Sequence, residues 1–118
     1  MTIKPEYQKI WRVIQQIPQG QVASYGQVAD LAGLPGRARL VGKCLAYVPE
    51  EGYNGKSVPW FKVLRSSGQI AFEQSTHQFT EQRALLMEEG IVVKGRSVSI
   101  KQYGWQPNLM ELLFVLEG

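Results

Sequence analysis

The sequence predicts a single α+β domain of winged-helix-like form, in which a helix-turn-helix precedes a short hairpin. Three observations carry this expectation. Apolar residues recur at helical spacing near the N-terminus, two short apolar helices flank a Gly/Pro turn between Ser24 and Tyr47, and two β-branched runs face each other across Lys94-Gly95-Arg96. At 118 residues and 44% hydrophobic, the chain is suited to one compact core.

From Pro5 to Ile17, the set Tyr7, Ile10, Trp11, Ile14 and Ile17 follows i, i+3, i+4 spacing, which predicts an amphipathic helix ended by Pro18-Gln19-Gly20. Ser24-Tyr25-Gly26-Gln27 has the form of a capping box, with Ser24 as N-cap and Gln27 at the third helical position. The helix it opens carries Val28, Ala29 and Leu31 and stops at Gly33-Leu34-Pro35-Gly36. A third helix is expected from about Arg37 to Tyr47, with Leu40, Val41, Cys44 and Leu45 on its apolar side. Residues Pro49 to Ser57 read as a loop, Val58 to Leu64 as extended or turn-like, and Gln69 to Phe72 as a short strand. Thr76 to Glu89 reads as a helix stopped by Gly90. Ile91-Val92-Val93 and Val98-Ser99-Ile100 are the arms of the expected hairpin. The apolar tail from Leu109 to Leu116 predicts one more short helix, an extension over residues 109–118 of a domain spanning 1–108, which would cover the domain or mediate self-association.

Composition excludes some functions and leaves others open. No apolar run approaches the ~20 residues of a membrane helix, and Met1-Thr2-Ile3-Lys4-Pro5 lacks the apolar core of a secretory signal. A lone Cys44 forms no internal disulfide; with these absences, a cytoplasmic protein is expected. One cysteine and one histidine, without ligand spacing, predict no metal site. Net charge is +3, and residues 1–48 hold six basic side chains against two acidic ones. That asymmetry fits a polyanionic partner and fits a solvated basic surface equally well.

Five segments then occur in one order: Gln21-Val22-Ala23-Ser24-Tyr25-Gly26-Gln27-Val28-Ala29, Ala38-Arg39-Leu40-Val41-Gly42, Pro59-Trp60-Phe61-Lys62-Val63, Ser66-Ser67-Gly68, and Leu85-Leu86 through Glu89-Gly90. Together, over roughly residues 6–107, they resemble the DNA-binding part of the O6-alkylguanine-DNA alkyltransferases, whose active-site-type loop reads Pro-Cys-His-Arg-Val. Trp60 stands at the position of the alkyl-accepting cysteine and Phe61 at that of the histidine that activates it. An indole has one N–H donor and no usable nucleophile, and a phenyl ring cannot act as a base. The closer resemblance is therefore to the alkyltransferase-like proteins, which bind alkylated guanine without repairing it.

That resemblance implies roles for particular residues. Arg39 matches the arginine that enters the duplex and fills the gap left by an extruded nucleotide, offsetting part of the few kcal/mol that flipping costs. Tyr25 matches the tyrosine that crowds the target phosphate; apart from any family match, the charges of Arg37 and Lys43 on the same helix-turn-helix are expected to add DNA contacts. Tyr25, Pro59, Trp60, Phe61, Val63 and Ser67 are expected to form the lesion pocket. Glu89 matches the carboxylate that polarises the missing histidine and reads as a remnant able to accept hydrogen bonds near its helix end. Lys62 replaces an arginine, and Leu40, Lys43, Val48 and the longer loop of residues 49–57 depart from the family pattern. The implied partners are duplex DNA containing O6-alkylguanine and nucleotide-excision-repair proteins such as UvrA, with no cofactor.

Plainer readings stand beside these. Arg39 could hold a surface salt bridge, Tyr25 could be a core tyrosine, and Trp60 could simply fill the core. Two rival functions remain open. One is an alkyltransferase using Cys44, with His77 as the sole available histidine; the other is a transcription factor reading the major groove through the same helix-turn-helix.

Overall fold

A computed structural model describes residues 3–117. Helix α1 (Pro5–Gln15) begins with proline in its first turn, where a missing N–H costs nothing, and follows an extended Lys4. It buries Tyr7, Ile10, Trp11, Val13 and Ile14, each contributing roughly 1.5–3 kcal/mol as an upper figure. The helix stops two residues before the expected Ile17, although Ile17 remains buried ahead of Pro18.

Strand β1 (Ala23–Ser24) leads directly into α2 (Tyr25–Leu31). Ser24 Oγ accepts the Gln27 N–H at 3.1 Å, as the capping box predicts. The Gln27 side chain does not close that box; it donates instead to Trp105 O at 2.9 Å, tying the motif to the C-terminal segment. Gly33 and Gly36 turn the chain at φ 76° and 79°, and α3 (Ala38–Cys44) follows, prolonged by a 3₁₀ turn over Leu45–Tyr47. The expected helix-turn-helix is present.

The segment expected to be extended or turn-like forms a 3₁₀ turn over Trp60–Lys62, then strand β2 (Val63–Leu64). Strand β2 pairs in parallel with β1, matching Ala23 with Val63 and Ser24 with Leu64. Nothing in the local sequence pattern signals this pairing. Helix α4 (His77–Glu88) starts at the Thr76 cap, whose Oγ1 accepts the Phe79 N–H at 3.2 Å.

Two strand expectations need correction. Gln69 to Phe72 is not a regular strand: Gln69 makes a single bridge to Ser97, and Ile70 N–H donates to Arg96 O at 2.9 Å. Arg96 Nη2 binds the Ile70 and Phe72 carbonyls, occupying acceptors that a continuing ladder would use. The hairpin is limited to β3 (Val93–Lys94) and β4 (Ser97–Val98). Ser99 and Ile100 leave it, because Ser99 Oγ accepts the Gln102 N–H and opens the short helix α5 (Ile100–Tyr103).

Two apolar clusters hold the fold. One joins α1, α2, α3 and Trp105; the other lies under α4 and the hairpin, around Leu64, Ile70 and Leu86. Helix α6 (Leu109–Glu117) starts where Asn108 Oδ1 accepts the Met110 and Glu111 N–H groups. It buries Leu112, packs Leu116 against the first cluster, and exposes Leu109, Met110, Leu113, Phe114 and Val115. No helix among the described residues is long and apolar enough to cross a membrane.

Candidate nucleic-acid interface

The parallel pairing of β1 and β2 sets the helix-turn-helix against the turn that carries Trp60. Between them lies a cavity of about 570 Å³, whose walls include Tyr25, Arg39, Trp60, Val63, Arg65 and Phe72. Of the residues expected from sequence, the fold thus brings together Tyr25, Arg39, Trp60 and Val63. Arg39 is exposed at the first turn of α3, and Gly42 and Ala46, one and two turns on, continue the same wall. Gly42 faces the Tyr25 ring: a Cβ there would stand 3.8 Å from Tyr25 Cε1. Burial pushes the Tyr25 hydroxyl above its ordinary pKa of 10.0, and the charge of Arg65 partly opposes the shift. At neutral pH the hydroxyl keeps its proton and can both donate and accept.

Trp60 also borders a second cleft of about 650 Å³, and Pro59 and Phe61 line that cleft rather than the first. The Trp60 and Phe61 rings meet edge to face, with centroids 6.1 Å apart and planes at 89°. Ser67 is exposed in the turn after β2 and lines neither space. Arg37 is exposed ahead of α3 and lines neither space as well. Lys43 faces a third groove with Tyr7, Trp11 and Tyr47, away from Arg39.

What holds the Trp60 turn in place comes from outside the expected set. Lys62 is only 3% exposed, and its Nζ donates to Ile17 O at 3.3 Å and Pro18 O at 3.0 Å and pairs with Glu89 Oε1 at 2.9 Å. Those contacts use all three donors of the ammonium group. Glu89 Oε1 also accepts the Gly20 N–H at 2.9 Å, so the carboxylate read as a remnant links three segments. Gln82 Nε2 donates to Phe61 O at 2.8 Å and Val63 O at 3.2 Å, bracing the turn from α4. Both carbonyls can only accept, which fixes the amide orientation and turns Oε1 away; buried, it has no hydrogen-bond partner among the described residues.

Sequence reasoning missed Arg65, Phe72 and Gln82. The signal for Arg65 existed only in the register, since it follows Leu64 as Tyr25 follows Ser24. Cys44 is fully buried, its Sγ donates to Val41 O at 3.2 Å, and burial pushes its thiol up to about 12. His77 is exposed at the start of α4. No group of three potential metal-ligating side chains occurs among the described residues.

A helix-turn-helix set against the turn that presents Trp60 to a cavity is here the frame of a DNA-binding domain of the alkyltransferase type, as comparison with known proteins shows. The family model for the 6-O-methylguanine DNA methyltransferase DNA-binding domain matches residues 5–91. A DNA base-flipping protein of Vibrio parahaemolyticus is 41% identical over 100 residues, covering 84% of this chain and 94% of that protein. Alkyltransferase-like protein 1 of Schizosaccharomyces pombe is 30% identical over 106 residues, covering 86% and 94%. The crystal structure of the S. pombe protein with damaged DNA containing O6-carboxymethylguanine superposes with a TM-score of 0.78 at 29% identity, covering 91% of this chain and all of that one. The chain belongs to the alkyltransferase-like family.

Proposed function

We propose that this protein is a non-enzymatic sensor of O6-alkylguanine in duplex DNA. It approaches with the helix-turn-helix, inserts Arg39 into the duplex, and receives the extruded nucleotide in the cavity beside Trp60. The base then stacks on or abuts an indole where related enzymes carry a thiolate. The alkyl group stays on the base, because neither Trp60 nor Phe61 can attack it or activate an attacking group.

The observation that carries this reading is the position of Trp60 on the wall of a cavity it shares with Tyr25 and Arg39. Supporting it, a relative of similar fold has been seen with O6-carboxymethylguanine DNA. The Cys44 alternative finds no support in the geometry, since that thiol is buried, protonated at neutral pH and absent from the cavity wall. The reading extends to a handover of the marked lesion to nucleotide excision repair through UvrA.

A titration at fixed salt tests the first part. Duplexes identical except for one guanine or O6-methylguanine should bind with clearly different affinity, the alkylated one tighter; equal affinity ends the reading. A gel-shift assay with purified UvrA tests the second, which requires a ternary complex on the alkylated duplex that the unmodified duplex does not give.

A further inference from the structure

Arg65 was not among the residues that the motifs single out, yet the fold places it in the cavity wall. In the parallel pair, Ala23 lies opposite Val63 and Ser24 opposite Leu64. The next residue on each chain is Tyr25 and Arg65, so the two strands deliver these side chains to the same edge of the cavity, and both line it.

The backbone that presents Arg65 is tightly held. Its N–H donates to Gln69 O at 2.9 Å and its carbonyl accepts the Gly68 N–H at 2.8 Å. Gly68 sits at φ 89°, and a Cβ there would fall 2.2 Å from Val98 O, so this turn requires glycine. The side chain, by contrast, is exposed and makes no ion pair among the described residues, where Lys62 and Glu89 form the single salt bridge. No carboxylate lines the cavity among the described residues, and its two charged members are Arg39 and Arg65. Arg39 comes from α3 and is assigned to the duplex. Arg65 comes from the Trp60 side, against apolar walls formed by Trp60, Val63 and Ala71.

We propose that Arg65, with the Tyr25 hydroxyl, forms an oxyanion subsite at the edge of the Trp60 cavity. The inference rests on the damage-sensing reading above. A guanidinium offers a planar fork of donors matched to a phosphate or carboxylate, and the neutral tyrosine adds one donor beside it. The influence of Arg65 on the Tyr25 hydroxyl is consistent with their proximity. Two oxyanions could occupy the subsite: a phosphate flanking the extruded nucleotide, or a carboxylate carried by the O6 substituent.

Fluorescence anisotropy at fixed salt tests this with duplexes differing only at one base: guanine, O6-methylguanine or O6-carboxymethylguanine. Wild type, Arg65→Gln and Arg65→Lys are compared, with circular dichroism confirming that each folds; the exposed side chain makes both substitutions compatible with the turn. If the carboxylate is the ligand, Arg65→Gln lowers affinity for the carboxymethyl duplex by roughly fivefold or more and leaves the methyl duplex little changed. If the phosphate is the ligand, both alkylated duplexes weaken by that factor and the guanine duplex does not. In either case Arg65→Lys keeps part of the affinity. Unchanged binding of all three duplexes by Arg65→Gln, or equal weakening of all three, overturns the subsite. A wild-type protein that binds the three duplexes alike overturns the damage-sensing reading itself, and this failure is visible before any variant is made.

Discussion

Lys62 Nζ lies 2.9 Å from Glu89 Oε1, and this ion pair joins the turn that presents Trp60 to the end of α4. The lysine also binds the Ile17 and Pro18 carbonyls, and the glutamate binds the Gly20 N–H. The Glu89 carboxylate thereby fastens the cavity wall to the rest of the domain. The pair is largely dry, with the two side chains 4% and 20% exposed, so each charge depends on the other.

Removing one partner should therefore cost more than removing both. Glu89→Gln is expected to destabilise the fold by about 3 kcal/mol, because it leaves the buried ammonium without its counter-charge. The double variant Lys62→Met with Glu89→Gln should recover part of that loss. Urea denaturation of the four proteins in the cycle gives the coupling energy; additive losses would mean that the two side chains act independently.

Arg39→Ala should weaken binding of alkylated duplex more than that of undamaged duplex. An inserted guanidinium acts once the nucleotide is out, whereas phosphate attraction serves both DNAs. Arg39→Lys should recover only part, since an ammonium cannot stack as a plane. Matched titrations decide the matter, and an equal proportional loss on both duplexes reduces Arg39 to an ordinary backbone contact.

Trp60→Ala should weaken binding of alkylated duplex by about 1–3 kcal/mol if a base or alkyl group stacks there. Fluorescence offers a direct view. Trp11 and Trp105 are buried at 1% and 7% exposure, while Trp60 is half-buried beside two open spaces. Emission should thus change on adding alkylated DNA to the wild type and change far less in Trp60→Phe. A folded Trp60→Ala that keeps its full preference for alkylated DNA would make the indole a core filler.

Incubation with excess O6-methylguanine duplex should add no methyl group to the intact mass. A stoichiometric gain that disappears in Cys44→Ala would restore the enzymatic alternative. The same thiol predicts a pH effect on stability. Burial pushes the thiol up to about 12 from its ordinary 9.0. Below pH 9.0 both folded and unfolded states hold the proton, and the contribution is fully present. Above that value the unfolded chain ionises first, so stability should fall as pH rises toward about 12. Tyr25 shifts in the same direction, so the Cys44 share is the part of the slope that Cys44→Ala removes. Denaturation midpoints at pH 8 and pH 10.5 for both proteins measure it; an identical slope in the two refutes the assignment.

Much of the local structure could be read without coordinates. The periodicity around Ile10 and Ile14, the Ser24 cap, the Gly33 to Gly36 turn and the Gly90 stop act between near neighbours, so their signals lie within a few residues. That Trp60 and Phe61 offer neither a nucleophile nor a base is likewise visible residue by residue. Where the sequence misread, a competing hydrogen bond had won: the distant Arg96 took the carbonyls of Ile70 and Phe72, and Ser99 capped a helix through the nearby Gln102 N–H in place of extending the hairpin. The cavity depended on tertiary structure altogether. Only the parallel match of Ala23 with Val63 sets Arg65 beside Tyr25, and only the packing of three segments around Lys62 turns its charge inward to Glu89. Such pairings are chosen by how two apolar clusters close around each other, and local propensity carries no record of that closure.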